Sequence, residues 1–227
     1  MCKILLSLSI CLWSMTISVL AAEPSADLDT VMCERGKVIL SDDFAKPLGK
    51  AWQPSKGKWD VVDGMLVGAE SADDMHGAVL RTPVKERNFI MQYSFKLDGA
   101  KSTTLSINDP KGHNSRVVIS KGGFSVRKDD SDGSGPDKPV TLQDVKSPIK
   151  PGEWHTIVVE FNGPEMLARL DGKEIAYGSD KAIGVEKNNI GLTVTGESVA
   201  FKDVRIWEAK PKADWAKNKA NVLSAAK

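Results

Sequence analysis

Hydrophobic and polar positions alternate most cleanly from Phe89 to Leu97, where Phe89, Met91, Tyr93, Phe95 and Leu97 share one parity and Gln92, Ser94 and Lys96 share the other. A period of two predicts a strand with one buried and one solvated face. Ser102 to Asn108 repeats the pattern, with Thr103, Leu105 and Ile107 opposed to Ser102, Thr104, Ser106 and Asn108. These neighbouring strands are expected to share one polar face. Farther on, Trp154 to Phe161 and Met166 to Leu170 are apolar or β-branched runs, and Asp171-Gly172 precedes a return through Lys173 to Tyr177. Asp-Gly supplies the positive φ of a type I′ hairpin. Trp59 to Val62, Asp63-Gly64 and Met65 to Val67 read as a second hairpin of that kind. Ala78 to Arg81 is a short strand stopped by Pro83, and Arg116 to Ser120 pairs with Phe124 to Lys128 across Gly122-Gly123.

Between these runs lie turn-rich segments, the longest being DDSDGSGPDKPV, a surface loop by composition. Residues 23–36 show no clear period and read as a lead-in, residues 37–209 as one domain, and 210–227 as a tail. In that tail, alanine and lysine with Trp215, Val222 and Leu223 predict a short helix. Many short strands with frequent turns and almost no helix predict an all-β fold, a two-sheet antiparallel sandwich or jelly roll with a short C-terminal helix.

The first 22 residues follow another rule. Lys3, the apolar run Ile4 to Leu20 and then Ala21-Ala22 have the layout of a secretory signal peptide. Five serines and threonines dilute the run, which weighs against a retained anchor. The mature chain is expected to be exported, periplasmic or extracellular, with no membrane attachment after cleavage. Without Lys3 the 31 basic residues fall to 30, against 30 acidic ones. That balance gives no electrostatic reason to expect nucleic acid. Cys33 is the one thiol left beyond Cys2 and Cys11, so no internal disulfide is expected.

In order along the chain, DDF, KWDVVDGMLVG, HGAVLR, GHNSRVVI, KPGEWHTIVVEFNG, LDGKEIAY and VAFKDVRIWEA together resemble the DUF1080 family over roughly residues 38–208. That family is named for 3-keto-disaccharide hydrolases. The resemblance implies a concanavalin A-like jelly roll, a carbohydrate partner and activity on 3-keto-glycosides. Where its members commonly carry Asn-Ser-Gly-Ile and then a Gly-Tyr-Glu strand, this chain reads TTLSIND and NSRVVISKGGF. A non-catalytic glycan-binding or cell-envelope interaction module is therefore the alternative.

Candidate chemistry is sparse. Retaining glycosidases need two carboxylates about 5 Å apart, and no Glu-x-Asp-x-x-Glu pattern supplies them; Glu160 stands alone among apolar residues. The polar cluster NDPKGHNSR offers Asn108, Asp109, His113 and Arg116 around a glycine turn. A 3-keto sugar has an acidified C2 proton, so its glycosidic bond can break by elimination, which needs a base and an enolate stabiliser. His113 and Arg116 are the candidates, with His76, which follows Asp73 and Asp74, as a further base. Gln92, Ser94, Lys96, Thr104, Ser106, Asn108 and Asp109 are expected to line the ligand face. His155 shares parity with Ile157 and Val159 and reads as framework.

Trp52 and Trp59, near glycine turns, could serve as sugar platforms, although core is the favoured reading for any single tryptophan, and Trp154 and Trp207 read as core. Asp130, Asp132, Ser134 and Gly135 match the start of an EF-hand loop, but Thr141 occupies the closing glutamate position. No His-x-x-x-His or Cys-x-x-Cys spacing is present. Neither a metal nor a cofactor is expected.

Overall fold

The computed structural model describes residues 26–131 and 136–225, so the expected leader and the middle of the acidic loop lie outside the described residues. Among those residues the order is β1 (Cys33–Asp42), β2 (Gln53–Lys56), β3 (Lys58–Val62), β4 (Met65–Ala69), β5 (Ala78–Pro83), β6 (Phe89–Asp109) and β7 (Gly112–Ser120). Then come β8 (Gly123–Lys128), β9 (Val140–Val145), β10 (His155–Asn162), β11 (Glu165–Leu170), β12 (Glu174–Ser179), β13 (Asn189–Pro211) and helix α1 (Trp215–Ala225). No described helix is long and apolar enough to cross a membrane.

Two long strands organise the rest. The alternating runs 89–97 and 102–108 are the two halves of β6, a single strand of 21 residues that pairs along its length with the 23-residue β13. Both strands bend at glycine: Gly99 has φ 81° and Gly196 φ 98°, and the pairing slips between Thr195 and Ser198. A Cβ on Gly99 would lie 2.8 Å from the Cβ of Glu197, so the bend needs glycine for space as well as for its dihedral.

On one side of the bend, the first half of β6 joins β10, β11 and β12 on one edge and the second half of β13 on the other. The β3–β4 hairpin and β1 complete this first layer along the far edge of β13. On the other side the order is β9-β8-β7-β6-β13-β5-β2, the second layer. The result is the two-layer antiparallel sandwich expected from alternation, with the short terminal helix. Asp63 (φ 51°) with Gly64 (φ 71°), and Asp171 (φ 49°) with Gly172 (φ 68°), form the two Asp-Gly turns with positive φ at both positions.

The core lies between the layers. Phe89, Met91, Tyr93, Phe95 and Leu97 meet Leu105, Ile107, Val117, Ile119, Phe124 and Val126, all buried. Trp52 and Trp59 belong to this core too, the favoured reading, and neither is a platform. Their indole N–H groups are taken by Asp42 Oδ2 at 2.8 Å and the Lys56 carbonyl at 2.9 Å. The Trp59 ring also fills the space over Gly68, where a Cβ would stand 2.4 Å from it. Proximity to a glycine turn thus marked ring packing on bare backbone.

A second apolar cluster covers the outer face of the first layer. Ile90, Val158, Leu167, Ile175 and Trp207 project from the strands and meet Met32 and Cys33 from before and at the start of β1, and Trp215 from α1. The lead-in is therefore partly a strand: β1 begins at Cys33, and bulges between Arg35 and Leu40 break the two-residue period that would have revealed it. Glu160 fastens this covering. It is wholly buried, and its two oxygens accept the backbone N–H groups of Val31, Met32 and Cys33 at 2.6, 2.8 and 2.6 Å. Burial pushes its carboxyl up, and the three N–H groups and Lys212 offset only part of that.

Candidate functional site

The outer faces of the two layers carry the same alternation and have different fates. On the first layer, Gln92 is fully buried beneath the chain's own N-terminal segment: its Oε1 accepts from Leu28 N–H at 2.8 Å and its amide donates to the Ala26 carbonyl at 3.2 Å. Ser94 is buried with its hydroxyl 2.8 Å from that of Thr156. Lys96 stands 5.5 Å from the centroid of the Trp154 ring, which Lys202 also approaches at 4.5 Å. Trp154 is thus a half-exposed residue capped by two ammonium groups rather than core. The expected continuous polar face from Gln92 to Asn108 does not form, because the bend at Gly99 carries the two halves of β6 into different layers whose outer faces point apart, and the N-terminal segment covers the first of them.

The outer face of the second layer is different. Cross-strand register aligns Arg81 (β5), Gly191 (β13), Ser106 (β6), Arg116 (β7) and Arg127 (β8) in one row across five strands. Directly opposed residues on antiparallel strands point to the same side, and the flanking residues Leu80, Leu192, Leu105, Val117 and Val126 point into the core. Strand spacing of about 4.8 Å puts roughly 14 Å between Arg81 and Arg116, with Gly191 and Ser106 as the floor between them. At Gly191 an added Cβ would meet its nearest neighbours at 3.7 Å, so the floor is low because a side chain is missing, without being crowded. Thr104 and Thr193 form the adjacent pair on this face.

At one end of the row is an open cleft of about 340 Å³ lined by Arg81, Asn108, Asp109, Lys111, His113 and Asn189. Asn189 Oδ1 accepts from Asn108 Nδ2 at 2.7 Å and from Arg81 at 3.0 Å, which locks the amides and the guanidinium into one network. Asp109 is occupied structurally: it accepts from Lys111 N–H at 2.7 Å and Asn114 Nδ2 at 2.9 Å, and so shapes the turn that presents His113. Asn114 also donates to the Ala182 carbonyl at 2.8 Å, tying the 3-10 turn Lys181–Ile183 to this end of the sheet. Behind it, Lys187 is buried with Nζ on the carbonyls of Ile183 and Val185 at 2.5 and 2.6 Å; burial pulls it down to about 8.

Of the three residues expected to act in catalysis, two lie near one another. His113 lines the cleft, and Arg116 sits one outward position along β7 with its Nε 2.5 Å from Asp129. His76 does not join them. Just before β5 and near Gly196, it lies at the far end of the second layer, since Ala78 pairs with Val194 whereas Pro83 pairs with Asn189 beside the cleft. Five residues of strand, about 17 Å, separate the two ends. There His76 lines a hollow with Glu70, Met75 and Glu197. His155 is framework as expected: Nδ1 is 2.7 Å from Asp171 and the ring stacks on Phe95.

Sequence reading missed Arg81, Asn189, Gly191 and Arg127. Arg81 carried a local signal, the outward parity of a charged residue in AVLR; the other three take their meaning from register between distant strands. Among the described residues no group of three His, Cys, Asp or Glu side chains is arranged to hold a metal.

Comparison with known proteins agrees with this architecture. The family model of the 3-keto-alpha-glucoside-1,2-lyase-like domain matches residues 42–207. No curated protein sequence matches the chain significantly. Among solved structures, a GlcNAcα1-4Gal-releasing endo-β-galactosidase from Clostridium perfringens is similar with TM-score 0.58 and 13% identity, over 83% of this chain and 65% of that one. The carbohydrate-binding module CBM66 from Bacillus subtilis gives 0.55 and 14%, over 70% of this chain and 96% of that one. LamA from Z. galactanivorans, solved with laminaritriose and laminaritetraose, gives 0.55 and 14%, over 77% and 100%. At such identities the likeness is one of fold, the concanavalin A-like jelly roll.

Proposed function

The chain belongs to the 3-keto-alpha-glucoside-1,2-lyase-like family, and from that premise we propose that it is an exported carbohydrate-active enzyme that cleaves 3-keto-glycosides at the outer face of the second layer. The observation that carries this reading is the convergence of His113, Asn108, Asn189 and Arg81 on one open cleft. The leader-like first 22 residues support export.

The reaction assigned to the cleft is an elimination followed by hydration. His113 takes the proton at C2 of the sugar, and the electron pair forms an enediolate with the C3 oxygen. Arg81, oriented by Asn189, and Lys111 face that developing negative charge. The pair then returns to expel the glycosidic oxygen from C1, leaving a C1–C2 double bond, and the leaving oxygen collects the proton from the imidazolium. Water adds across the double bond, hydroxyl to C1 and proton to C2, so the net change is hydrolysis. Arg116, paired with Asp129, helps position the sugar rather than meeting the oxyanion.

A second reading, a glycan-binding module without turnover, is favoured by the commitment of both carboxylates beside the cleft, Asp109 to the turn and Asp129 to Arg116. The test is turnover of a chromogenic 3-keto-α-glucoside by the mature chain. His113→Ala is expected to lower kcat by about 10²- to 10⁴-fold with an unchanged melting temperature. Equal turnover by the variant removes His113 as the base, and binding without turnover by the parent chain selects the module.

A further inference from the structure

Two side-chain amides stand side by side in the cleft, and a guanidinium decides which way each of them faces. Asn108 on β6 lies opposite Asn189 on β13 and, on its other side, opposite His113 on β7. Arg81, on β5 beyond Asn189, donates to Asn189 Oδ1 at 3.0 Å. A guanidinium carries donors only, so the oxygen of that amide has to face it and the nitrogen has to turn away. Asn108 then meets the same oxygen with its own nitrogen, at 2.7 Å. The polarity of both amides follows from Arg81.

Each amide has one end left over. Two facing amides can exchange two hydrogen bonds, but this pair makes one, and the described residues give no partner to Asn108 Oδ1 or to Asn189 Nδ2. Asn108 is only 5% exposed, yet its Oδ1 is not sealed from solvent, and both amides line the open cleft. This sets the pair apart from Arg35, Arg127, Arg169 and Arg205, whose unpartnered Nε atoms are shut away from water. The main chain beneath is fixed as well: Asn188 N–H donates to the Asn108 carbonyl at 2.8 Å, and Val84 N–H to the Asn188 carbonyl at 3.3 Å. The cleft therefore holds a fixed acceptor on the His113 side and a fixed donor on the Arg81 side. An α-hydroxy ketone has the complementary order, since its hydroxyl donates and the adjoining carbonyl oxygen only accepts.

We propose that Asn108 and Asn189 are the residues that read the C2–C3 ketol of the sugar, the C2 hydroxyl donating to Asn108 Oδ1 and the C3 carbonyl oxygen accepting from Asn189 Nδ2 with Arg81 alongside. This rests on the reading of the cleft as the place of bond cleavage and assigns the atoms that recognise its substrate. The two contacts differ in consequence. The C3 oxygen gains charge as the C2 proton leaves, so the bond from Asn189 strengthens towards the transition state and counts in kcat. The C2 hydroxyl keeps its proton throughout, so the bond to Asn108 counts in KM.

The test is steady-state kinetics of the mature chain on 4-nitrophenyl 3-keto-α-glucoside and on its 2-deoxy analogue, which keeps a C2 proton to abstract and lacks the C2 hydroxyl. Asn189→Asp retains the oxygen that Arg81 and Asn108 hold and puts a second oxygen where the donor was. It is expected to lower kcat by about 10²- to 10³-fold, with a melting temperature at or above that of the parent. Were Asn189 only a prop for Arg81, a carboxylate would hold the guanidinium at least as well; an undiminished kcat in this variant therefore overturns the inference. Asn108→Ala is expected to raise KM for the full substrate about tenfold, as the loss of one hydrogen bond implies, and to leave the 2-deoxy analogue unaffected. Comparing both proteins on both substrates cancels the analogue's different C2 acidity. A preference for the C2 hydroxyl of the same size in parent and Asn108→Ala also overturns the inference, and where the parent binds without turnover the same preference is read by titration calorimetry. Either of these results leaves the cleft standing as the carbohydrate site. Neither turnover nor binding by the parent chain overturns the reading of the cleft and this inference together.

Discussion

The outer faces of the two layers are built from the same two strands, yet one is sealed and the other is open. On the first layer, polar Gln92 and Glu160 reach outward only to be consumed by backbone groups of residues 26–33, and a tryptophan-rich cluster with α1 closes the surface. On the second, Ser106, Asn108 and three arginines take the outward positions, Ser106 and Asn108 lie low among them, and an open cleft stands at one end of the row. A polar position in a strand can be an internal anchor or a ligand contact, and what decides is the rest of the chain. Here the chain's own N-terminal segment and α1 cover the first layer, which leaves the second as the surface proposed to bind sugar.

The sharpest way to break this contrast is to strip the seal. Trp215→Ala removes a ring that packs in the second cluster and donates to Glu165 at 3.0 Å; it is expected to cost about 3–5 kcal/mol of stability. Chemical denaturation should register that loss, while saccharide binding at the second layer stays as it was. A fall in binding as large as the fall in stability would mean that the two faces are not independent.

A smaller effect is expected at the anchor beneath the seal. Glu160→Gln puts an amide N–H₂ against backbone donors and should cost about 1–3 kcal/mol at neutral pH. The pH profile carries a sign. Glu160 has a folded value raised above 4.5 by burial, so its contribution is fully present below about 4.5 and is lost as pH rises through the folded value. Glu165 behaves oppositely: burial pushes it up, but hydrogen bonds from Lys219, Tyr177 and Trp215 outweigh that and hold it below 4.5. Its contribution is present above 4.5 and is lost as pH falls through that lower value. Melting temperatures across pH 3–7 should lose the Glu160 component in Glu160→Gln and retain the acid-side loss from Glu165; an unchanged profile would show that Glu160 is not the anchor.

The mildest perturbation acts on the open face alone. Gly191→Ala adds a methyl group where the nearest atoms to a Cβ are 3.7 Å away, an ordinary contact, so folding is preserved and the floor is raised. Saccharide affinity is expected to fall about tenfold, roughly 1.4 kcal/mol, at an unchanged melting temperature. Full affinity would move the ligand off the row.

Much of this fold is legible in the sequence because its signals are local. Alternation from Phe89 to Leu97 depends on the pleat, and Asp171-Gly172 depends on one pair of dihedrals. The site is less legible because its signals come from distant partners. Gln92 and Ser106 have the same parity and similar neighbours, but one lies under residues 26–28 and the other between Gly191 and Arg116. His76 and His113 look equally eligible in sequence, and only the direction of β5 against β13 sends them to opposite ends. Arg81, Arg116 and Arg127 are separated in the chain and become a row through four successive registers.

The continuity of β13 also governs how this molecule comes into being. Partners for β1, β4, β5 and both halves of β6 all wait on residues 189–211, which follow every strand they join. Until that strand emerges, the edges of β5 and β6 stay open and the two layers have no shared spine, so assembly is late, non-local and slow. Local hairpins such as β3–β4, β7–β8 and β10–β11 can close on their own, but the two layers become one body only when β13 threads between β6 and its other neighbours, so the step that joins them carries most of the loop-closure entropy.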